Sequence, residues 1–294
     1  MRVKFECPIN FIDSKVWLDL DFIEDVETPE CLILNPGTNS YYDKSYFENF
    51  KYLKVVGTPS TGVNHLDINY LKDRGIKFYS LLDDRTSLDG ITASAEFTWL
   101  HIMNAVRKFS KSLKFVSSWR ELDNEEFLRS YELSGKKLGI IGFGRIGKKL
   151  NRYAEAFGVD VKFYDPYVSG SCQSIKDLHD SDILSINCYL NDETRGMVSD
   201  GFFYGFKKDL IVVNTSRGEV VDEEYVGKMI RNHKIFYSCD VLCGEQDVSK
   251  LTSSVLFRMY LSGHPNLVIT PHVAGVTVDS QRKALEIILK LCMK

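Results

Sequence analysis

Short apolar runs alternate with helical patterns along the chain. In the second half, the apolar runs cover residues 138–141, 161–164, 183–186, 210–213, 235–238 and 267–269. Helical stretches separate most of these runs, as residues 222–231 do. Strands that alternate with helices indicate a parallel sheet that carries helices on both faces. We therefore predict a six-stranded, doubly wound α/β sheet in this half.

The first 92 residues show the same alternation on a smaller scale. Apolar runs at 31–34, 54–56 and 76–79 accompany a helical pattern at 66–71 and predict a first α/β unit. A longer pattern over residues 92–115 predicts one helix, capped by Thr92 or Ser94. The charged stretch 119–133 carries scattered aromatic residues and is compatible with an exposed arm, a subunit contact or a solvated helix.

A glycine pattern directly follows the apolar run at 138–141. Gly142 allows a tight turn, Gly144 leaves room for a pyrophosphate, and Gly147 lets the following helix pack on the strand. The N-terminus of that helix offers unpaired N–H groups to a phosphate. The next strand-like run ends at Asp165, which suits a ribose 2′-hydroxyl and repels a 2′-phosphate. The alternative is a surface turn in an ordinary α/β unit, but the whole pattern favours a Rossmann domain that binds NAD.

Composition narrows the classes of function. The chain has 294 residues, 44% of them hydrophobic, and a net charge of −3, which does not favour a nucleic-acid or membrane-surface partner. The N-terminus lacks the apolar core of a signal peptide, and the seven cysteines show no paired CxxC spacing, so we expect reduced thiols in the cytoplasm. Cys239 and Cys243 are four residues apart without further ligands nearby, and no metal site is predicted.

Three ionisable residues each follow one of the predicted strands. They are Arg217, Glu245 and His272. Because the carboxyl ends of parallel strands lie along one edge of a sheet, the three side chains are expected to converge there. An arginine holds a carboxylate with two hydrogen bonds, and a histidine exchanges the proton of a carbonyl and alcohol pair. A nearby carboxylate orients the imidazole and raises its pKa.

Each of these residues also has an ordinary interpretation. Taken singly, Arg217 is a surface charge, Glu245 a loop acid and His272 a helix cap, but three strand-end residues beside a dinucleotide fold favour a functional set. The remaining histidines lack this placement and are interpreted as structural or surface residues: His65, His101, His179, His233 and His264.

Several longer motifs occur in a fixed order along the chain. They are STGVNHLD at 60–67, AEFT at 95–98, GFGRIG at 142–147, YDPY at 164–167, NTSRG at 214–218 with Val221 and Asp222, Asp240 with Val241, and TPHVAG at 270–275. In kind, number and order these motifs resemble the D-isomer-specific 2-hydroxyacid dehydrogenases over nearly the whole chain.

The resemblance implies roles for particular residues. It assigns Arg217 to the substrate carboxylate, His272 to acid/base transfer and Glu245 to pairing with His272. The backbone amides of Thr61 and Gly62 would help to hold the substrate carboxylate. The residues assigned to NAD are Gly142, Gly144, Arg145, Ile146, Gly147, Asp165, Thr215, Ser216, Asp240 and Gly275.

The resemblance also implies the fold and the reaction. Residues 1–92 with 271–294 would form a flavodoxin-like substrate domain, and residues 93–270 the Rossmann domain that binds NAD. Both would be doubly wound parallel sheets in an α/β protein. The expected protein is a cytoplasmic homodimer that moves a hydride between NAD and a 2-oxo or D-2-hydroxy acid.

Four departures from the family pattern bear on the substrate and the cofactor. Gln246 replaces a usual proline, Phe97 replaces a common histidine, and the segments 187–191 and 82–90 differ from the usual loops. Two other functions therefore stay open. One is an NAD(H)-sensing, non-enzymatic binding module of the same fold. The other is a dehydrogenase acting on a different carbonyl, such as that of a nucleotide sugar or a phosphonate-type acid.

Overall fold

The structure contains two parallel sheets. It is a computed structural model that describes residues 1–7, 23–35, 41–117, 119 and 122–294. The chain divides into a terminal unit, Met1–Ile91 with Gly275–Lys294, and a central unit, Thr92–Ala274. All strand pairs in both sheets are parallel. The predicted α/β class with two parallel sheets is confirmed.

The strands and helices of the described residues are numbered in chain order. The strands are β1 Arg2–Glu6, β2 Ile23–Glu24, β3 Cys31–Leu34, β4 Val55–Gly57, β5 Lys77–Tyr79, β6 Lys137–Ile141, β7 Asp160–Tyr164, β8 Ile183–Ile186, β9 Leu210–Asn214, β10 Ile235–Cys239 and β11 Leu267–Ile269. The helices are α1 Lys44–Phe47, α2 Ile68–Asp73, α3 Arg85–Asp89, α4 Ala93–Arg107, α5 Phe109–Ser112, α6 Leu122–Leu128, α7 Arg145–Ala156, α8 Glu223–Arg231, α9 Val248–Ser253, α10 Val255–Leu261 and α11 Val278–Cys292.

The terminal unit is a five-stranded sheet with an apolar core on each face. Its strand order is β2-β1-β3-β4-β5, which is the flavodoxin-like order. Alternate residues of β3 face opposite cores, because successive side chains of a strand point to opposite sides. Cys31 and Ile33 pack in the core that contains α11, whereas Leu32 and Leu34 pack in the core that contains α1 and α2.

The central unit is a six-stranded sheet in the order β7-β6-β8-β9-β10-β11. All six strands predicted for this region are confirmed. The third strand of the unit, β8, lies beside the first, β6, so the direction of winding reverses between them. Helices α4 and α7 pack on one face through residues such as Trp99 and Leu150, and α8 and α10 pack on the other through Val226 and Leu256.

One helix differs from the sequence prediction. The sequence predicts a single helix over residues 92–115, and this prediction is wrong at the C-terminal end. Helix α4 ends at Arg107, and Lys108 adopts a left-handed conformation with φ 50°. The Asn104 side chain explains this end, since its oxygen accepts hydrogen bonds from Ser110 N at 2.8 Å and Oγ at 2.6 Å. Thr92 is the N-cap, without a side-chain hydrogen bond.

Strands β1 and β2 were not predicted from the sequence. In β1, charged residues alternate with apolar ones, and β2 has only two residues, so neither forms an apolar run. Residues 120 and 121 of the stretch predicted as an arm, a contact or a solvated helix lie outside the described residues. Within the described ranges, no helix has the length and apolarity needed to cross a membrane.

Candidate active site

Three neighbouring strands of the central sheet end in one row. In the strand register, Asn214 of β9 pairs with Cys239 of β10, which pairs with Ile269 of β11. Each of these residues is the last of its strand. The loops that carry the three ionisable residues predicted from the sequence therefore start side by side at the carboxyl edge of the sheet.

His272 and Glu245 form a hydrogen-bonded pair at this edge. The Nδ1 atom of His272 bonds Glu245 Oε1, and Glu245 Oε2 accepts the backbone N–H of Leu242 at 2.9 Å. A carboxylate only accepts, so the proton lies on Nδ1 and Nε2 is the ring atom available for proton exchange. The His272 side chain is 49% exposed and Glu245 22% exposed, so a small molecule in solution has access to the imidazole.

The surroundings of His272 favour its protonated form. The hydrogen bond that His272 donates to Glu245 is the main cause that raises the pKa of His272, and the charges of Glu245 and Asp240 act in the same direction. Burial and the positive charge of Arg217 lower this pKa, but they do not cancel the effect of the carboxylates. The imidazolium therefore persists to a higher pH than that of an ordinary histidine.

Asp240 holds the backbone on which His272 sits. His272 has a left-handed conformation with φ 53°, which for a residue other than glycine costs on the order of 1 kcal/mol. The Asp240 carboxylate accepts the N–H groups of Val273 at 3.0 Å and Ala274 at 2.8 Å. Thr270 donates its hydroxyl to the same carboxylate at 2.5 Å, and the His272 N–H donates to the Asp240 carbonyl at 2.9 Å. These bonds stabilise the strained turn.

The Arg217 turn is shaped by a buried asparagine. Asn214 Oδ1 accepts Ser216 N at 3.0 Å and Ser216 Oγ at 2.8 Å, and its amide donates to the Arg217 carbonyl at 3.0 Å. One guanidinium nitrogen of Arg217 donates to the Ser216 carbonyl at 2.7 Å. Among the described residues, no carboxylate forms an ion pair with this half-buried guanidinium. Its remaining N–H groups are suited to a carboxylate from solution.

Backbone packing joins the Arg217 loop to the Glu245 loop. A Cβ atom added at Gly218 would lie 2.0 Å from the carbonyl carbon of Leu242 and 2.2 Å from the nitrogen of Cys243. Only glycine permits this approach. Glu223 stabilises the Glu245 loop, because its carboxylate accepts hydrogen bonds from Cys243 N at 2.8 Å and from Ser254 Oγ at 2.6 Å.

The hydroxyl of Thr215 has a defined direction. Thr98 on α4 donates its hydroxyl hydrogen to the Ser94 carbonyl at 2.6 Å, and its oxygen lies 2.6 Å from Thr215 Oγ1. Because each hydroxyl has one hydrogen, Thr215 donates to Thr98. Thr215 can then only accept a hydrogen bond from a ligand, as an amide NH₂ group would require.

The glycine turn after β6 fits a dinucleotide. Gly142 has φ 88°, and a Cβ there would lie 2.6 Å from Cys188 N, while a Cβ at Gly147 would lie 2.5 Å from the Gly142 carbonyl oxygen. Among the described residues, nothing lies within 4 Å of a Cβ built at Gly144, so this position faces open space. Gly144 is also the N-cap of α7 and has no side chain to bond the first amides of that helix. Open space beside the first amides of a helix suits a pyrophosphate.

Asp165 lies where the adenosine end of that nucleotide is expected. Its Oδ2 accepts Phe143 N at 2.8 Å and its Oδ1 accepts Tyr167 N at 3.0 Å. The carboxylate is thereby oriented by two backbone amides, one of them within the glycine turn. Each oxygen keeps a lone pair that a ribose hydroxyl can use.

The segment 187–191 is ordered by its own hydrogen bonds. Asn191 Oδ1 accepts the N–H groups of Glu193 at 3.0 Å and Thr194 at 2.9 Å, and Thr194 Oγ1 donates to the Tyr189 carbonyl at 2.6 Å. Tyr167 donates its hydroxyl to Glu193 at 3.0 Å and links this segment to the loop after β7. These bonds define a loop whose sequence departs from the family pattern.

Three residues from the predicted site lie in the terminal unit. Thr61 and Gly62 follow β4, and Gly62 N donates to Ser60 Oγ at 3.0 Å. The carbonyl of Gly275 accepts the Ser280 hydroxyl at 2.5 Å and so joins the first turn of α11. The other predicted site residues belong to the central unit. In the described part of the chain, no group of three His, Cys, Asp or Glu side chains is arranged to hold a metal ion.

His101 is a polar residue at this edge whose sequence position predicts only a structural or surface residue. It is 3% exposed, and its ring bonds Ser238 Oγ through Nδ1 at 2.7 Å and Thr270 Oγ1 through Nε2 at 3.0 Å. Its only sequence signal is its position on α4, three residues after Thr98, which places both polar side chains on one face of the helix.

The chain is similar to known proteins over most of its length. The profile of the family described as "D-isomer specific 2-hydroxyacid dehydrogenase, NAD binding domain" matches residues 99–274. The chain is 29% identical over 270 residues to dehydrogenase efuE of Hormonema carpetanum, and the match covers 86% of this chain but 63% of that protein. It is 28% identical over 271 residues to hydroxypyruvate reductase of Thermotoga maritima, covering 90% and 84% of the two chains.

A solved structure has the same fold. The D-lactate dehydrogenase from Aquifex aeolicus, complexed with NAD and lactic acid, matches with a TM-score of 0.75 and 24% identity over 100% of this chain and 93% of that one. The parallel sheets described above therefore have a counterpart of known architecture.

Two glycine variants test the nucleotide turn. We expect Gly144→Ala to keep the unfolding midpoint near that of the wild type, because the new methyl meets nothing within 4 Å. Its affinity for NADH, measured by fluorescence titration, should fall by about tenfold or more, equivalent to about 1.4 kcal/mol. Gly147→Ala should instead destabilise the fold by about 1–3 kcal/mol, because its methyl meets the Gly142 carbonyl. Unchanged NADH affinity in Gly144→Ala would contradict the assignment.

Proposed function

The chain belongs to the family of D-isomer specific 2-hydroxyacid dehydrogenases, and on that premise we propose that it interconverts a 2-oxo acid and the corresponding D-2-hydroxy acid. The observation that carries the proposal is the hydrogen-bonded His272 and Glu245 pair, next to a half-buried Arg217 guanidinium without an ion-pair partner among the described residues. This combination supplies a proton and a carboxylate site together.

Arg217 is proposed to bind the substrate carboxylate. Its turn is fixed by Asn214, and one guanidinium nitrogen is already held by the Ser216 carbonyl. The group is thus oriented before the substrate arrives, and less rotamer freedom is lost on binding. In the terminal unit, the amides of Thr61 and Gly62 are proposed to assist with the same carboxylate.

His272 is proposed to transfer the proton at Nε2. In reduction the Nε2–H is given to the substrate oxygen, and in oxidation Nε2 takes the hydroxyl proton back. Glu245 keeps the other nitrogen protonated and stabilises the imidazolium. When bound, the nicotinamide of NADH supplies the hydride for C2 of the acid.

The central unit is proposed to hold NAD through the residues predicted from the sequence. The terminal unit is proposed as the main part of the substrate domain, which the sequence predicts at residues 1–92 with 271–294. Asp165 is proposed to bind the ribose 2′-hydroxyl and so to favour NAD over NADP. Thr215, as a hydrogen-bond acceptor, is suited to the carboxamide NH₂ of the nicotinamide. The other proposed contacts are Gly142, Gly144, Arg145, Ile146, Gly147, Ser216, Asp240 and, in the terminal unit, Gly275.

We also propose a cytoplasmic homodimer. All seven cysteines, which lie in the described residues, are free thiols, as reducing surroundings favour. The segment that follows α4 exposes several large apolar side chains, whose exposed fractions are 58% for Phe109, 56% for Leu113, 60% for Val116, 77% for Trp119, 53% for Phe127 and 63% for Tyr131. A concentration of exposed apolar surface marks an interaction site, and a second copy of the chain is the occupant that we propose.

The reaction is tested by NADH oxidation with a panel of 2-oxo acids, namely glyoxylate, hydroxypyruvate, pyruvate, 2-oxoglutarate and phosphohydroxypyruvate. We expect turnover of at least one acid. In Arg217→Ala, kcat/KM should fall by about 100-fold or more, because a charged partner of the carboxylate is lost. The Kd for NADH should stay within about twofold, since this change removes a substrate contact.

The matched control for this experiment is Arg258→Ala, which removes an exposed arginine of α10 and should behave as the wild type. NADH binding without turnover of any acid would refute the proposed reaction. It would then favour a nucleotide-sensing module or a different carbonyl substrate.

The pH profile of reduction tests the role of Glu245. Because reduction needs protonated His272, the rate should be constant at low pH and fall as pH rises through the pKa of that residue. This pKa is raised mainly by the hydrogen bond with Glu245, so the fall occurs at a higher pH than for an ordinary histidine. Glu245→Gln keeps an acceptor but removes the charge, and its profile should fall at lower pH. An unmoved profile would exclude Glu245 as the partner.

Sedimentation velocity tests the assembly. The wild type should sediment as twice the 33.7 kDa chain. The double variant Leu113→Glu with Trp119→Glu should sediment as a monomer, because two charges would be placed in the apolar surface. Tyr204→Glu, at a residue that is 88% exposed elsewhere in the central unit, is the control and should leave the dimer intact. A monomeric wild type would contradict the proposal.

A further inference from the structure

We propose that His101 is a positioning residue of the candidate active site, which acts through Thr270 on the Asp240 carboxylate and thereby on the backbone that carries His272. His101 lies on helix α4 and touches none of the groups assigned to the reaction, so its effect on chemistry is indirect. The inference rests on the proposed function, because positioning matters only if His272 transfers the proton.

The chain of side chains is continuous and mostly buried. Ser238 has no exposed surface, Asp240 is 1% exposed and His101 is 3% exposed. Consecutive members are linked by hydrogen bonds of 2.7 Å from Ser238 to His101, 3.0 Å from His101 to Thr270 and 2.5 Å from Thr270 to Asp240. Buried polar groups without partners are costly, so a chain that satisfies each member favours one arrangement.

The directions of these hydrogen bonds follow from the chemistry of the groups. The Asp240 carboxylate only accepts, so the one hydroxyl hydrogen of Thr270 is directed to it. Thr270 Oγ1 must then accept a hydrogen from His101, and Nε2 of the ring carries that proton. Burial lowers the pKa of His101, against a smaller opposing effect of the Asp240 charge, and so favours the neutral ring. Its Nδ1 therefore accepts the hydroxyl of Ser238.

The end of this chain is the group that fixes the His272 turn. Asp240 accepts the amides of Val273 and Ala274, the two residues after His272. If His101 stops donating, the half-buried Thr270 Oγ1 loses this hydrogen bond, and only the bond to Asp240 still orients its hydroxyl. Asp240 is then less well oriented, and the left-handed turn at His272 loses part of its support. A small misplacement of a proton donor reduces the rate of a reaction strongly.

Three substitutions separate this role from simple space filling. His101→Gln places an N–H close to the position of ring Nε2 and keeps the donor to Thr270. His101→Asn places a polar group close to Nδ1 and loses that donor. His101→Leu keeps a comparable volume, next to the Phe97 ring whose centroid lies 5.0 Å away, and loses both hydrogen bonds. A packing role predicts that Leu is tolerated best, whereas the positioning role predicts that Gln is.

The kinetic experiment measures NADH oxidation with the panel acid that the wild type reduces fastest. We expect His101→Gln to keep kcat within about threefold, and His101→Asn and His101→Leu to lose about tenfold or more in kcat with a smaller change in KM. In these two variants the fall of the pH profile should move to lower pH, because a misplaced Asp240 raises the pKa of His272 less. Equal rates in all three variants would overturn the proposal.

Substitutions at Thr270 test the same proposal independently. Thr270→Ser keeps the hydroxyl and should retain the wild-type rate, whereas Thr270→Val keeps the shape and should reproduce the loss in His101→Asn. Combining Thr270→Val with His101→Asn should cost no more than either change alone, since both break the same chain. Additive losses would show that His101 does not act through Thr270.

A spectroscopic readout keeps this inference separate from the proposed reaction. In a ¹⁵N-histidine NMR spectrum of the whole chain, His101 should show the neutral tautomer with the proton on Nε2, and the midpoint of the His272 titration should fall in His101→Leu. If no acid is turned over, the proposed function fails, but the tautomer and the titration still test the chain of hydrogen bonds. A charged His101 at pH 7, or a proton on Nδ1, would refute it.

Discussion

The parallel register of β9, β10 and β11 is the constraint on which the candidate site depends. Asn214, Cys239 and Ile269 end their strands in one row, so three loops leave the sheet at the same level and in the same direction. Backbone hydrogen bonds of the sheet set this alignment independently of the side chains of the loops. The loops are then joined to each other by the close packing at Gly218 and by the bonds around Asp240.

Shape and chemistry are divided between two sets of residues. Asn214, Glu223 and Asp240 direct their polar atoms to backbone amides or carbonyls of the loops and so determine where each loop runs. His272 and Arg217 are more exposed, and they keep polar atoms that no other described residue uses. The Asp240 carboxylate, bonded to backbone amides, holds the strained turn at a single geometry, which a proton donor needs.

The sequence predicted all six strands of the central sheet, because short apolar runs mark buried parallel strands. It also showed that Arg217, Glu245 and His272 each follow one of these strands, whereas their roles stay a prediction. It did not reveal the contacts of His101, whose hydrogen-bond partners Ser238 and Thr270 lie 137 and 169 residues away along the chain. Periodicity says which face of α4 is buried but not which strand end that face meets. The break after Arg107 was missed for a similar reason, since it depends on one amide side chain at Asn104 and not on any change in the apolar pattern.

Two thiols four residues apart report on different parts of this edge. Cys239 is fully buried in the last position of β10, where burial is the main cause that raises its pKa, and Cys243 is exposed in the loop that follows. Alkylation needs the thiolate and access of the reagent. The rate of alkylation at Cys243 therefore depends on the conformation of the loop, whereas the rate of alkylation at Cys239 depends on local opening of the sheet. The chain thus contains its own pair of probes for the stability of the strand ends that carry the site.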